Sequence, residues 1–161
     1  MVKRIEPADY QYVLDLNETN VEVLSPMDRE RLEFFVRVAE SFDVVHVEGK
    51  PVGFIIVLRE GIAEYKSENY IWFSKHYPKF LYIDRIVIDE CARGMGIGRD
   101  LYEHVFAHAR ETGVDVVTAE IDTIPYNESS LKFHQEMGFR EVGTQVIRGG
   151  AIQVSLQVRE V

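Results

Sequence analysis

Two stretches of the chain carry residue types whose spacing could do chemistry. In residues 80–110, a run dense in β-branched and aromatic side chains (80–88) is broken by Asp89, Glu90 and Cys91. Arg93 follows, then glycines at alternate positions, Gly94, Gly96 and Gly98. Beyond them the period changes, and Ile97, Leu101, Val105 and His108 recur with helical spacing beside Tyr102, Phe106 and Ala109. A strand, a glycine turn and a helix in that order make an anion site. Residues without Cβ let the backbone approach a phosphate, and the first-turn N–H groups point at it. In residues 127–139, Asn127 is a natural N-cap for a short helix that Gly138 would close from the C′ position.

Three further side chains are candidates for proton transfer. Glu120 interrupts the apolar run VVTAEI, and Asp84 interrupts FLYIDRIVI. Burying a carboxylate unpaired is expensive, so each needs a reason. Glu120 is either a general base or a partner of Arg85 or a lysine; Asp84 is either a second base or half of an ion pair steadying its strand. His134 lies seven residues after Asn127, two helical turns on, with Leu131 between them on the same face. An imidazole there can donate a proton near neutral pH. Cys91 has no histidine close in sequence and does not read as a nucleophile. His104 and His108 are one turn apart but lack a third ligand, so no metal is expected.

The anion is narrowed by what fails. Arg99-Asp100 stands where a P-loop needs Lys-Ser/Thr, and Arg99 stands where the dinucleotide fingerprint needs its third glycine. Arg93-x-x-Gly96-x-Gly98 after Ile86-Val87-Ile88 resembles the pyrophosphate loop of the GCN5-related N-acetyltransferases (GNAT). The stretch from Asn127 to Gly138-Phe139 resembles the second signature of the same family, in the right order and separation.

The resemblance implies one domain over residues 1–161 of α/β (α+β) class. Its central mixed, mostly antiparallel twisted sheet would be splayed at a parallel strand pair and flanked by helices. It implies acetyl-CoA as donor, with the pyrophosphate on the backbone of Gly94, Met95, Gly96, Ile97, Gly98 and Arg99. Arg93 would meet a phosphate or serve the loop. The main chain of Ile86, Val87 and Ile88 would pair with the pantetheine arm as an added strand, one amide polarising the thioester carbonyl. Asn127 would lie on the cofactor side. In ribosomal-protein N-acetyltransferases of the family a glutamate on the strand matching that of Glu120 acts as base through water. Here seven positions separate Glu120 from Asn127, two more than there. The family usually has tyrosine as acid where this chain has His134, which either takes that role or fills the space. The expected activity is acetyl transfer to a small-molecule or peptidyl primary amine by direct attack in a ternary complex. The alternative is a non-catalytic acetyl-CoA-binding sensor or partner domain, and a homodimer is compatible with either.

These residues need elements to position them. Residues 2–5 predict a strand, 8–17 a helix, and Ser25-Pro26 the capped start of a second helix. Residues 42–47 and 52–58 predict a hairpin through Glu48-Gly49-Lys50-Pro51. Residues 60–79, not part of the minimal family pattern, predict one helix within 68–76. Their aromatics and Glu60, Glu64 and Glu68 would favour a cationic acceptor. After the loop helix come a strand over 114–121, a loop over 122–126, the Asn127 helix, and strands over 140–147 and 151–158.

The 161 residues carry 18 Lys+Arg against 27 Asp+Glu, a net charge of -9, which argues against nucleic acid or an anionic membrane as partner. One cysteine and no apolar leader or membrane-length run fit a cytoplasmic protein.

Overall fold

The β-branched runs become strands and the helical periods become helices. A computed structural model describes residues 1–21 and 24–161. Strands β1 (Val2–Arg4), β2 (Ser41–Val47), β3 (Lys50–Arg59), β4 (Leu81–Ile88), β5 (Val116–Ile124), β6 (Arg140–Ile147) and β7 (Ile152–Glu160) form one sheet. Its order is β1-β2-β3-β4-β5-β7-β6. The helices are α1 (Tyr10–Glu18), α2 (Arg29–Val38), α3 (Glu68–His76), α4 (Ile97–Glu111) and α5 (Glu128–Glu136). β4 and β5 run parallel through Leu81↔Val117 and Tyr82↔Thr118, whereas β1–β2, β2–β3, β5–β7 and β6–β7 are antiparallel. The mixed α/β architecture is the one expected.

The chain forms two compact units, Met1–Leu58 with Ile83–Leu101, and Arg59–Tyr82 with Tyr102–Val161. In the first, the β2–β3 hairpin is tighter than expected. Glu48 and Gly49 both take positive φ (52° and 78°), which suits a two-residue turn to the strand twist and frees Lys50 and Pro51 to join β3. The start of α2 also differs. Asp28, not Ser25, is its N-cap, accepting from the Arg31 N–H at 2.8 Å. A carboxylate also meets the positive end of the helix dipole, which a serine cannot do as well. The Ser25 carbonyl instead accepts from Asn17 Nδ2 (3.1 Å) and Arg85 Nη1 (3.0 Å). Leu32 and Phe35 of α2 are fully buried, and the Arg85 guanidinium lies 5.3 Å over the Phe35 ring.

In the second unit, α3 forms over the expected residues, capped by Ser67. Tyr70 and Phe73 are its buried face, while Trp72 lies against β6 at Gly143, where an added Cβ would come within 2.7 Å of the indole. β5 does not stop at residue 121 but continues to Ile124, with a register irregularity against β7 between Asp122 and Ile124. A bulge lets a strand carry an extra residue without ending, so the Pro125 signal came late. Asn127 caps α5 as expected, and Gly138 takes φ 88°.

One glycine is fixed by space alone. A Cβ on Gly53 of β3 would lie 2.6 Å from the Val87 carbonyl oxygen and 3.0 Å from Ile88 Cδ1. Gly53→Ala should therefore cost about 1–3 kcal/mol, the usual range for overpacking. Chemical denaturation of the two proteins checks it, and equal midpoints would contradict the contact.

Candidate functional site

The glycine loop lies in the first unit and is built from β4 outward. Asp89, just past β4, donates its N–H to the Val52 carbonyl (2.7 Å), while its carboxylate caps the following 3₁₀ turn at the Cys91 N–H (3.2 Å). The Tyr12 hydroxyl of α1 donates to the same carboxylate at 3.1 Å. Those bonds, the Cys91 amide first, hold the Asp89 carboxyl below the usual range. Gly94 and Gly96 take φ 81° and 78°, and a Cβ on either would meet no atom within 4 Å. The space over the loop is clear. The α4 ladder opens with the Asp100 N–H on the Gly96 carbonyl at 3.0 Å, so the Ile97, Gly98 and Arg99 amides have no helix carbonyl behind them.

Two side chains here have partners within the loop region. Arg93 Nε donates to the Ile88 carbonyl at 3.3 Å and so ties the loop back to β4. Cys91 is exposed, but its bond with Asp89 pushes the thiol up, which disfavours the thiolate a covalent route would need. Among the described residues no group of three His, Cys, Asp or Glu is placed to hold a metal.

Asp84 forms an ion pair with Arg85 at 2.9 Å, the two side chains only 3% and 5% exposed. Arg85 also donates to Asn17 Oδ1 at 3.0 Å, so β4, α1 and the stretch before α2 share one buried polar knot. The carboxylate is committed to balancing a buried guanidinium.

Glu120 belongs to the second unit. It is half-buried on β5 and Oε1 accepts from the Tyr82 hydroxyl at 2.9 Å. A tyrosine hydroxyl thus answers this carboxylate, where the sequence suggests Arg85 or a lysine. Two residues on, Asp122 shares its face of the strand. Burial pushes the Asp122 carboxyl above the ordinary range, with Arg148 pulling weakly the other way. Neither Tyr82 nor Asp122 stood out in the sequence. Asp122 reads as loop in the sequence because the bulge that carries β5 on to Ile124 leaves no mark there. Tyr82 could have been found from its position opposite Thr118, two residues before Glu120.

His134 is 6% exposed and bonded at both ring nitrogens. A carbonyl oxygen can only accept, so the 2.7 Å contact with Ser130 O places the proton on Nδ1. Nε2 then accepts from the fully buried Tyr102 hydroxyl at 2.6 Å. Burial pushes the imidazole pKa down, and the phenol is raised, by burial first and then by the Glu120 charge. Of the two expectations for His134, this geometry fits the space-filling one; the neutral ring has no proton on Nε2 to give. Asn127 Oδ1 is spent on the α5 cap, at 3.3 Å from the Ser130 N–H.

Two of the insertion's three glutamates have partners within the protein, while Glu64 and Glu68 stay exposed. Glu60 is bonded by Arg59 (3.1 and 3.0 Å) and by the Phe80 N–H (3.1 Å), and Glu68 accepts from the Arg148 N–H at 3.3 Å. Beside Glu60 opens a cavity of about 470 Å³, lined by Ile62, Tyr65, Tyr70, Ser74 and Tyr77.

The domain is thus of the mixed α/β class, with a parallel pair at β4–β5 and a glycine loop leading from β4 into α4. Residues 9–139 match the sequence profile of the acetyltransferase (GNAT) family, and the chain belongs to that family of acetyltransferases. Solved structures agree on the fold. The ribosomal-protein-alanine N-acetyltransferase from Brucella melitensis has 23% identity and TM-score 0.72, covering 100% of this chain and 99% of its own. Ard1 from Thermoplasma volcanium has 21% identity and TM-score 0.77 (100% and 97% covered). Naa20 from Chaetomium thermophilum, in complex with a bisubstrate analogue, has 21% identity and TM-score 0.78 (100% and 86% covered). No curated protein matches the chain significantly by sequence. No helix among the described residues is long and apolar enough to cross a membrane.

The His134 geometry makes stability depend on pH. With the folded pKa depressed below the ordinary 6.5, the unfolded chain takes up a proton first as pH falls. This contribution is complete above about pH 6.5 and is lost progressively below it. His134→Gln, which cannot titrate, should lose less Tm than wild type between pH 7.5 and 5. Parallel Tm curves for the two proteins would contradict a buried neutral imidazole.

Proposed function

We propose that the chain transfers the acetyl group of acetyl-CoA to a primary amine, small-molecule or peptidyl, by direct attack in a ternary complex. The single observation that carries this reading is the loop. Two left-handed glycines open onto clear space between a strand and the first turn of a helix, inside a sequence of the acetyltransferase family. The amides from Gly94 to Arg99 suit a pyrophosphate. The main chain of Ile86, Val87 and Ile88 is assigned to the pantetheine arm, and a β4 amide to the thioester carbonyl. Asn127 acts through the α5 cap rather than through a free side chain.

Glu120 is the proposed base, taking the amine proton directly or through a water. The freed nitrogen lone pair then attacks the thioester carbonyl carbon, whose oxygen carries the negative charge. Collapse re-forms the C=O and breaks the C–S bond, and the second proton shed by the now cationic nitrogen passes, directly or through water, to the thiolate, which leaves as coenzyme A. His134 is not given that last proton transfer, because Nδ1–H is held by Ser130 and Nε2 is an acceptor. Asp84 is set aside for its pairing with Arg85. Asp122 is the second candidate base, since a half-buried carboxyl raised by burial is better matched to proton abstraction near neutral pH.

Structures sharing the fold include enzymes named for ribosomal-protein alanine and an IAA acetyltransferase from Bacillus cereus, so the acceptor panel should span peptide N-termini and small amines. Glu60 is held by Arg59 and the Phe80 N–H, so of the insertion's glutamates the exposed Glu64 and Glu68 are the ones left to attract a cationic acceptor. Two measurements test the reading. Acetyl-CoA at about 100 times its Kd should add about 2.7 kcal/mol, a Tm rise on the order of 5–10 °C. Gly96→Glu should abolish that rise, and its absence in wild type would remove the donor assignment. On the best acceptor of the panel, Glu120→Gln should lower kcat by about 10²–10⁴-fold with acetyl-CoA binding intact. If Asp122→Asn shows that loss instead and Glu120→Gln does not, the base is Asp122.

A further inference from the structure

We propose that Tyr82 is a positioning residue for the Glu120 carboxylate, and that α3 is the element holding Tyr82 in place. The proposal rests on the reading of Glu120 as base, and assigns to the segment ahead of β4 a part in that same site. Tyr82 is 1% exposed, so its hydroxyl has lost water and needs a protein partner. Glu120 Oε1 supplies one at 2.9 Å. The strand register makes this reach natural: Tyr82 stands opposite Thr118, and Glu120 is the next residue on the same face.

The ring cannot swing away from that bond. Tyr70 meets it edge-on at 5.5 Å and Phe73 tilts against it at 5.9 Å, both from the buried face of α3. Tyr70 is itself pinned, donating to the Arg59 carbonyl at 2.6 Å and accepting from the Ile62 N–H at 3.1 Å. The helix is fastened to β6 at two points and to the turn that follows it at a third. Asn69 Oδ1 accepts from Gln145 at 3.0 Å, Glu68 accepts from the Arg148 N–H, and Trp72 fills the space over Gly143. Fixed rings at fixed distances hold the phenol proton at one place beside the carboxylate.

Two consequences follow for the reaction. A hydrogen bond to the charged form favours that form, so Tyr82 keeps Glu120 ionised and ready to accept. It also holds the carboxylate in one rotamer, and a base a fraction of an ångström out of place loses rate. Tyr82 touches neither donor nor acceptor in this scheme; it acts through Glu120.

The test reads the Glu120 titration directly, without an acceptor. Protein labelled with ¹³Cδ-glutamate is titrated by NMR, and Glu120→Gln assigns the resonance. Tyr82→Phe should move the Glu120 midpoint up by about one pH unit, the size of one hydrogen bond to a charged group. The acid limb of kcat/KM, measured on the best acceptor of the amine panel, should move by the same amount. Neutral-pH kcat should fall about tenfold, with the KM for acetyl-CoA unchanged. Phe73→Leu, which keeps the phenol but loosens its seat, should shift the midpoint the same way by less. It also carries the test if Tyr82→Phe does not fold. An unmoved midpoint, even with a lowered Tm, would leave Tyr82 as packing alone and overturn the proposal. The failures separate cleanly. If Glu120→Gln turns over normally, the base assignment falls and this proposal with it. If Glu120→Gln is slow but the midpoint stays put in the variants, only the role of Tyr82 and α3 falls.

Discussion

A carboxylate in the middle of a sheet strand has to be answered by a hydrogen-bond donor or a cation, because the water it gives up is costly to replace. Two of this chain's strand carboxylates, Asp84 and Glu120, are answered differently. Asp84 meets a guanidinium from the next residue, inside a knot that also takes in Asn17 and the Ser25 carbonyl. Glu120 meets a phenol across the strand pair. The difference is chemical as well as geometric. Breaking a buried ion pair strands a charge and costs several kcal/mol, about 3–5 by experience with such pairs, so Asp84 is poorly suited to gaining and losing protons. A neutral phenol beside Glu120 tolerates both protonation states of its partner. The ion pair ties one carboxylate to its neighbour, whereas the phenol leaves the other able to serve as the base proposed above.

The same logic reassigns His134. A histidine replacing a catalytic tyrosine invites the view that one acid stands in for another. The bonds favour the space-filling view: an imidazole between a carbonyl and a phenol donates on one side and accepts on the other, and its burial opposes any extra proton. The Tyr102–His134 contact joins α4 to α5 beneath the α5 cap, with Phe139 edge-on to both rings. It packs α5 against α4 through a hydrogen bond between two buried rings.

What could be read from the sequence was whatever is decided locally. The glycine loop, the α3 boundaries, the Asn127 cap and the Gly138 stop all depend on residues within a few positions of each other, and each appears where the pattern put it. The Asp28 cap was local too, but Ser25-Pro26 offered a stronger-looking signal three residues early. The site's decisive bonds were not local. Tyr82 and Glu120 are 38 residues apart, Tyr102 and His134 are 32, and Asn17 and Arg85 are 68. Nothing in residue type or period selects such partners; the strand register does. The bulge that prolongs β5 past residue 121 hid Asp122 for the same reason, since its cause lies in the pairing with β7.

The insertion ahead of β4 connects these observations. As a sequence it looked like an acidic, aromatic surface suited to gathering a cationic substrate. Folded, its aromatics face inward onto Tyr82, and its first-turn glutamate holds the turn that carries Arg148. Arg148 is the charge that opposes the burial of Asp122. A single helix therefore bears on the surroundings of both carboxylates on the β5 face, one through a packed ring and the other through a backbone bond. Variation within α3 would be expected to alter proton affinity at those two groups before it altered contact with any substrate.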